Sequence, residues 1–244
     1  MSSARGGSFY DLAGVGERYL AHHDGRRFSP NHVMEDPAVL AEIGDPAGLR
    51  VIDLGCGDGR FGRELIAAGC ADYLGIDGSA TMVDRACREL TGPRARVELA
   101  DLEDFEAPAQ SADLVTARLS LHYVADLGAV LRATARALRP GGRFVMTVVH
   151  PVITSHDTPS DEPRTTWTVD DYFRPGPRTR TWFGSQVTWQ HRTVEQYTAA
   201  LVESGLSLTA IGECPPVAER FDGDAAELAR RLRVPLFLLL AARA

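Results

Sequence analysis

The chain of 244 residues carries 33 acidic and 26 basic side chains, a formal net charge of −7, and 44% hydrophobic residues, which is typical of a globular protein with a sizeable core. No apolar run reaches the roughly 20 residues that a membrane span requires, and the acidic balance disfavours a nucleic-acid backbone as the main partner. Every basic residue is an arginine, which excludes Schiff-base and phosphate-loop lysines, and we expect a cytoplasmic protein without nucleic-acid or membrane partners.

The first 48 residues combine short helical patterns with helix breakers. One helix is predicted over residues 9–20, and a second over 36–43 with Pro37 at its start. From residue 49 onward, strand and helix patterns alternate strictly. The predicted strands cover residues 49–54, 73–77, 96–100, 114–116 with its flanks, and 143–149, and the predicted helices cover 59–68, 79–90 and 128–138. Such alternation predicts right-handed βαβ units and a parallel sheet.

The alternation breaks after residue 150. Residues 151–190 contain several prolines and all three tryptophans, and they are predicted to form an irregular or hairpin-bearing excursion. A helix over 193–204, a strand over 206–212, a helical stretch around 225–233 and a last strand over 235–242 complete the chain. No repeat or low-complexity linker separates these parts, so we expect one domain.

A glycine-rich loop follows the first predicted strand. The sequence VIDLGCGDGRFG, residues 51–62, places four glycines within eight residues directly behind an apolar run. Gly55 and Gly57 let the backbone turn tightly and approach a bound molecule, because glycine has no Cβ and adopts positive φ without strain. Loops between a parallel strand and its helix lie where open α/β sheets bind ligands. The loop is therefore predicted to hold a ligand.

The acids of this loop discriminate between two candidate ligands, a dinucleotide and S-adenosylmethionine. A dinucleotide places its pyrophosphate over the helix N-terminus, where Asp53 and Asp58 would repel it. S-adenosylmethionine has no phosphate and carries a sulfonium and an ammonium group. We therefore expect S-adenosylmethionine as the cofactor, with the glycines beside its methionine portion and Asp53 facing its positive charge.

Two further acids end the next two predicted strands. Asp77, in YLGIDGSATM, is placed to accept hydrogen bonds from both ribose hydroxyls, a feature that dinucleotide-binding folds share. Asp101, in VELADLEDF, can accept from the adenine amino group while the Leu102 amide donates to a ring nitrogen. The alternative for Asp101 is a cap of a helix or turn.

These segments together resemble the class I S-adenosylmethionine-dependent methyltransferases. VIDLGCGDGRFG, YLGIDGSATMVDRA, VELADLEDF, ADLVTARLSLHYV and ALRPGGRFVMTV occur in the order and spacing of that family over residues 49–149. The later segments VVHPV and VTWQHRTVEQYTAALVESGL resemble its small bacterial branch, which acts on small molecules. The family and the residues together assign cofactor contacts to Tyr19, Asp53, Gly55, Cys56, Gly57, Asp77, Gly78, Met82, Asp101, Leu102 and Arg118.

The resemblance implies an α/β fold with a Rossmann-like, doubly wound sheet of seven strands. Residues 206–212 and 235–242 would be its sixth and seventh strands, and the last strand would run antiparallel. The single domain then consists of an N-terminal helical cap, a cofactor-binding core, an acceptor-side insertion after the fifth strand and the C-terminal part of the sheet, at residues 1–48, 49–149, 150–192 and 193–244.

Three histidines lie on the predicted acceptor side. His150 precedes Pro151 at the end of the fifth strand and is the candidate catalytic base; the alternative is a histidine that anchors the insertion. His122 is expected to pack beside the cofactor, and His191 either contacts the acceptor or caps the next helix. A base is needed only where the acceptor must lose a proton, because methyl transfer from a sulfonium depends largely on positioning and water exclusion.

Other acceptor-side residues are an arginine and several aromatic residues. Arg118 departs from the family, in which a small residue usually follows the fourth strand, and it either binds an anionic acceptor group or pairs with Asp101 or another acid. Tyr10 and Tyr19 match aromatic positions of an N-terminal helix that commonly closes over the cofactor in the family. The three tryptophans are expected to form a lid core, with an aromatic acceptor pocket as the alternative.

The sequence therefore predicts an enzyme that methylates a small organic acceptor, with specialised metabolism as its setting. Two alternatives are a cyclase-like enzyme that binds S-adenosylmethionine without methyl transfer, and a non-catalytic binding module. The four cysteines have no metal-type spacing, so no metal site is expected.

Overall fold

The computed structural model describes residues 6–25, 28–156 and 166–244. Its strands are β1 (Arg50–Leu54), β2 (Asp72–Asp77), β3 (Ala95–Leu99), β4 (Ala112–Arg118), β5 (Leu138–Val149), β6 (Gly176–Trp182), β7 (Ser185–His191), β8 (Ser207–Gly212) and β9 (Phe237–Arg243). Its α-helices are α1 (Val15–Gly25), α2 (Asp36–Ile43), α3 (Arg60–Ala67), α4 (Ala80–Glu89), α5 (Leu127–Ala137), α6 (Pro151–Thr154), α7 (Val194–Glu203) and α8 (Ala225–Arg231). No helix in these described ranges is long and apolar enough to cross a membrane.

Seven strands form one sheet in the order β3-β2-β1-β4-β5-β9-β8. The first five strands are parallel, whereas β9 runs antiparallel to both of its neighbours. The predicted Rossmann-like sheet with an antiparallel last strand is thereby confirmed. The strand order reverses between β1 and β4, and the carboxyl ends of strands at such a reversal form the usual ligand crevice of open α/β sheets.

The core lies on both faces of this sheet. On one face, Leu131 of α5 and Tyr197 of α7 pack against sheet residues such as Phe144. On the other face, Ile43 of α2 and Leu65 of α3 pack against sheet residues such as Val145. Helices on both faces bury the central strands β1 and β4, whereas the edge strand β3 is largely exposed.

The boundaries of the core elements follow from local sequence. Ser79 caps α4, as predicted, because its Oγ accepts from the Met82 amide at 3.2 Å. Thr193 and Gln196 form a reciprocal capping box at the start of α7. β5 is longer than the sequence predicted, since Leu138 already pairs with Ala112 directly after α5 ends.

The N-terminal segment differs from the prediction of one helix over residues 9–20. The structure has a 3₁₀ helix at Gly7–Phe9 and begins α1 only at Val15. Gly14 has a φ of 71°, a left-handed conformation that separates the two helices. A π-helical turn at Asn31–Glu35, which the sequence did not predict, leads directly into α2.

The insertion after β5 contains an antiparallel hairpin, formed by β6 and β7. Its aromatic side chains pack against the N-terminal segment. Trp182 stacks on Phe9 with ring centroids 6.1 Å apart, and Trp189 belongs to the same buried cluster. These two tryptophans therefore lie in a lid core, the first of the two alternatives for them.

Candidate functional site

A cavity of about 440 Å³ lies at the carboxyl ends of the parallel strands. The described residues that line it come from the glycine loop, from the ends of β1, β2 and β4, from the turn after β3 and from the N-terminal segment. All eleven residues to which the sequence assigned cofactor contacts are among them: Tyr19, Asp53, Gly55, Cys56, Gly57, Asp77, Gly78, Met82, Asp101, Leu102 and Arg118. Side chains that lie up to 99 residues apart in the chain thus meet in one space.

The glycine loop forms the floor of the cavity. Gly55 and Gly57 have φ values of 83° and 57°, which side-chain-bearing residues rarely adopt. A Cβ on Gly55 would stand 2.3 Å from the Cβ of Ser120, so a side chain there would collide with the segment after β4. The Gly55 and Cys56 amides donate to the Ile76 carbonyl, which fastens the loop to β2. The loop backbone is therefore rigid and accessible to a ligand.

Asp53, at the rim of this floor, is a buried acid with two hydroxyl donors. The Tyr73 hydroxyl and the Thr116 Oγ1 each donate to its carboxylate at 2.8 Å. Burial raises the pKa of Asp53, and the two hydrogen bonds partly oppose that rise. A cation in the cavity would offset the same desolvation, which fits the predicted role of this acid.

Asp77 ends β2 and joins the glycine loop to α4. Its carboxylate accepts from the Gly57 amide and from the Ser79 amide, each at 2.9 Å. Burial raises the pKa of Asp77 to about 6 despite these two hydrogen bonds. A carboxylate has about four acceptor positions, so both oxygens keep the capacity to accept further donors from a ligand.

The turn after β3 supplies the neighbouring wall. The Asp101 carboxylate accepts from the Glu103 amide at 3.0 Å and caps the short 3₁₀ helix Leu102–Asp104. The capping alternative for Asp101 is thus observed, and the residue lines the cavity as well. Gly78 closes the gap between this turn and Asp77.

The N-terminal segment covers the same end of the cavity. A Cβ on Gly7 would stand only 2.4 Å from the Gly78 backbone, so the two chains touch. The hydroxyls of Tyr10 and Tyr123 lie 3.0 Å apart, and the rings of Tyr10 and Tyr19 pack edge to face. Burial raises the pKa of Tyr123 to about 12, which keeps this hydroxyl neutral.

Asp11, which sequence reasoning missed, fastens this segment to α4. Its carboxylate accepts from Ser79 Oγ at 2.6 Å, from the Thr81 amide at 2.9 Å and from the Ala80 amide at 3.1 Å. Burial is the largest single influence on the pKa of Asp11 and raises it, but the hydrogen bonds together outweigh burial and lower the pKa. An acid at the N-terminus of a helix is also favoured by the helix dipole. No periodic signal marks the residue, because its partners lie about 70 residues away.

Arg118 of β4 lies in an ion network on the opposite side of the cavity. Its guanidinium donates to both oxygens of Glu35, with Nε at 3.1 Å from Oε1, and also to Asp36. The guanidinium carbon is 4.3 Å from the centroid of the Phe61 ring. Of the two alternatives for Arg118, the structure has the pairing with acids, and the acids are Glu35 and Asp36 rather than Asp101.

The cavity wall as a whole is acidic. Eight carboxylates and two guanidinium groups are present among the described lining residues. The acids are Glu35, Asp36, Asp53, Asp58, Glu64, Asp77, Asp101 and Glu103, and the arginines are Arg60 and Arg118. Both arginines are paired, since Arg60 lies 2.7 Å from Asp58. Such a wall suits a cationic ligand and repels a pyrophosphate, which supports the choice that the loop acids indicated.

His150 is not among the described residues that line the cavity. Its Nδ1 accepts from the Val152 amide at 3.2 Å, so it caps α6, and its Nε2 is 3.3 Å from Glu213. The prediction that His150 reaches the reaction space is therefore not met by its position, and the anchoring alternative describes its contacts.

The other two histidines are also buried outside the lining. His191 bonds to Thr154 Oγ1 at 2.7 Å and to the Tyr172 carbonyl at 2.9 Å, which ties the hairpin to α6. His122 packs edge to face on Trp189, and burial lowers its pKa to about 3. Among the described lining residues the histidine is His32, which no sequence pattern indicated.

Comparison with known proteins identifies relatives across the whole fold. A family model described as a methyltransferase domain matches residues 51–142. The structure is similar to that of an S-adenosylmethionine-dependent methyltransferase from Mesorhizobium loti, with a TM-score of 0.78 and 37% identity over 91% of this chain and 99% of that one.

Two relatives of named activity match part of the chain. A 27-O-demethylrifamycin SV methyltransferase from Amycolatopsis mediterranei is 38% identical over 41% of this chain and 38% of its own length. A trans-aconitate 2-methyltransferase from an Acidovorax species is 32% identical over 48% of this chain and 45% of its own length. This chain thus matches less than half of the length of each of these two proteins.

Proposed function

This chain belongs to the S-adenosylmethionine-dependent methyltransferases, and from that premise we propose that its acceptor is a small organic molecule bound at the β4 side of the cavity. The observation that carries the proposal is the acid-lined cavity at the strand-order reversal, which the N-terminal segment lines on one side. The relatives with named acceptors also act on small molecules.

The residues present fit the cofactor. Asp77 would accept from the ribose hydroxyls, and Asp101 and the Leu102 amide would hold the adenine. The backbone of Gly55, Cys56 and Gly57 would contact the methionine portion, because Gly55 admits no side chain and the loop lines the cavity. When bound, S-adenosylmethionine supplies an electrophilic methyl group on a sulfonium.

The protein would contribute mainly positioning and water exclusion. The cofactor-side residues lie at the ends of β1 and β2, in the glycine loop and in the turn after β3, and the proposed acceptor side is formed by β4 with the turn at residues 31–36. On that side His32 and Asp36, with Nδ1 and Oδ2 3.6 Å apart, are the groups able to take a proton from an acceptor. His150 would only support the insertion.

The proposal is tested by mass spectrometry of S-adenosylhomocysteine formed with a panel of small alcohols, phenols, amines and thiols. We expect acceptor-dependent formation with at least one class, together with an acceptor that has gained one methyl group. Cofactor binding without acceptor-dependent product, or methylation of protein or RNA alone, would contradict a small-molecule acceptor.

A further inference from the structure

The β4 side of the cavity contains an arginine whose charge is already compensated by carboxylates of the protein. Arg118 already donates to three carboxylate oxygens, two on Glu35 and one on Asp36. A planar guanidinium carries five N–H donors, and here those of Nε and Nη2 are taken by Glu35 and Asp36. An anionic ligand that used these donors would therefore have to displace an internal carboxylate.

Displacement would be costly because Glu35 is completely buried. Its side chain is 0% exposed, and its other described donor is Thr147 Oγ1 at 2.7 Å. If Arg118 turned to a ligand, Glu35 would keep its charge in the interior with one hydroxyl donor. A buried carboxylate without its cation is strongly disfavoured. The pair is thus held in its present arrangement by Glu35.

The remaining charge at this side is negative. The single negative charge of Glu35 already balances the positive charge of Arg118. Asp36 therefore adds a net negative charge to the network, and its side chain is 30% exposed and lines the cavity. Glu64 lines the same cavity, while the charge of Arg60 is balanced by Asp58. A bound acceptor therefore meets a wall with a surplus of acids.

We propose that the Glu35–Arg118–Asp36 network is a charge filter that admits neutral or cationic acceptors and excludes carboxylates. The proposal rests on the acceptor site proposed above. It assigns a specificity-determining role to Asp36, which repels anions and accepts hydrogen bonds from hydroxyl or ammonium groups. Glu35 is a positioning residue, since it acts by occupying Arg118. In this respect the chain differs from the trans-aconitate relative, whose named acceptor is a carboxylate.

The filter is tested by binding, so that the result does not depend on turnover. Protein saturated with S-adenosylhomocysteine is titrated with three probes that share a benzyl group and differ in charge: benzylammonium, benzyl alcohol and phenylacetate, with ligand-detected NMR as the readout. We expect the ammonium and the alcohol to bind at least about tenfold more tightly than the carboxylate. Equal or tighter binding of phenylacetate, or no binding of the other two probes, would overturn the proposal.

Two variants and a control locate the effect. Asp36→Asn and Glu35→Gln each remove one negative charge from the network, so each should raise the affinity for phenylacetate by about tenfold and lower that for benzylammonium. Glu42→Gln makes the same change on α2 outside the cavity lining, and it should leave the three affinities unchanged. If all three variants changed the probe affinities equally, the discrimination would come from the net charge of the whole protein, and the proposal would be overturned.

The two proposals fail separately. If acceptor-dependent product never forms while the probes discriminate as stated, the proposed function fails and the filter stands as a binding property. If product forms with carboxylate acceptors as readily as with amines and alcohols, the filter fails and the proposed function stands.

Discussion

At the scale of single residues, the cavity is marked by two buried acidic side chains. Asp53 and Asp77 are both almost inaccessible, and burial raises the pKa of each. A protein keeps such costly acids where a ligand compensates them, and perturbed acids in a cavity are typical of functional sites. The pKa of Asp77, about 6, makes this testable near neutral pH.

The affinity for S-adenosylmethionine should depend on the ionisation of Asp77. Ribose hydroxyls donate to the ionised carboxylate, so affinity should be full above pH 7 and fall below pH 6 by up to about tenfold per pH unit. In the absence of cofactor, the stability of the fold should change with pH in the opposite direction to the affinity. Because the folded pKa lies above the unfolded value of about 3.9, the contribution of Asp77 to stability decreases as pH rises from about 4 to 6.

Calorimetry between pH 5 and 8 measures this dependence through affinity and proton release. Asp77→Asn should bind weakly and without the step near pH 6, whereas Asp104→Asn, at an exposed acid outside the lining, should keep the step. A wild-type affinity that does not change over this range would contradict the role of Asp77.

The main contribution of Arg118 should be to the free energy of unfolding. Arg118→Met leaves Glu35 buried without its cation, so we expect the free energy of unfolding to fall by about 3–5 kcal/mol. The double variant Arg118→Met, Glu35→Gln should recover most of this loss, because the charge is removed with its partner. Urea unfolding gives both values.

The control is an exposed ion pair. Arg96 and Asp72 are 3.2 Å apart with side chains that are mostly solvated, and Arg96→Met should cost at most about 1 kcal/mol. A loss of similar size for Arg118→Met would mean that the Glu35 pair contributes no more than a surface pair.

At the scale of elements, the βα core was predictable and the N-terminal segment was not. Predicted strands and helices between residues 49 and 149 mostly agree with the structure within one or two residues, because Gly, Pro and Ser79 mark their ends. The exception is β5, whose pairing from Leu138 depends on a neighbouring strand. The helix predicted over residues 9–20 was wrong because Gly14 interrupts an otherwise helical pattern.

The contact between the N-terminal segment and α4 should control access to the cofactor. Asp11→Ala removes three hydrogen bonds to the start of α4, so we expect weaker S-adenosylmethionine binding by about 1–3 kcal/mol. The fold should be retained, since the segment lies outside the sheet. Calorimetry measures the affinity, and limited proteolysis should show earlier cleavage between residues 6 and 25.

Asp84→Ala provides the matched control for Asp11. Asp84 is an exposed acid on α4 itself, outside the cavity lining, and its removal should change neither affinity nor cleavage. An Asp11→Ala protein that binds and resists protease like wild type would show that the segment is held by its aromatic contacts alone.

At the scale of the whole molecule, the acids at the strand ends could be predicted from the sequence, whereas the ion network around Arg118 could not. Asp53, Asp77 and Asp101 lie at or within two residues of the carboxyl ends of β1, β2 and β3, so parallel-sheet geometry alone brings them to one edge. Glu35 and Asp36 approach Arg118 across 82 residues or more, and only the tertiary packing of the turn before α2 places them there. Sequence patterns indicate which residues are neighbours within one helix or strand, but they do not indicate contacts between residues so far apart in the chain. His150 shows the same limit, because the end of a strand does not fix the direction of its last side chain.

The central claim is that the acid-lined cavity binds S-adenosylmethionine, and calorimetric titration of the wild-type protein at pH 7.5 tests it most directly. We expect binding at one site for S-adenosylmethionine and S-adenosylhomocysteine and no binding of NAD. Asp77→Ala, folded as judged by circular dichroism, should weaken the cofactor by about 1–3 kcal/mol. Tight binding of NAD, or unchanged S-adenosylmethionine affinity in Asp77→Ala, would contradict the account.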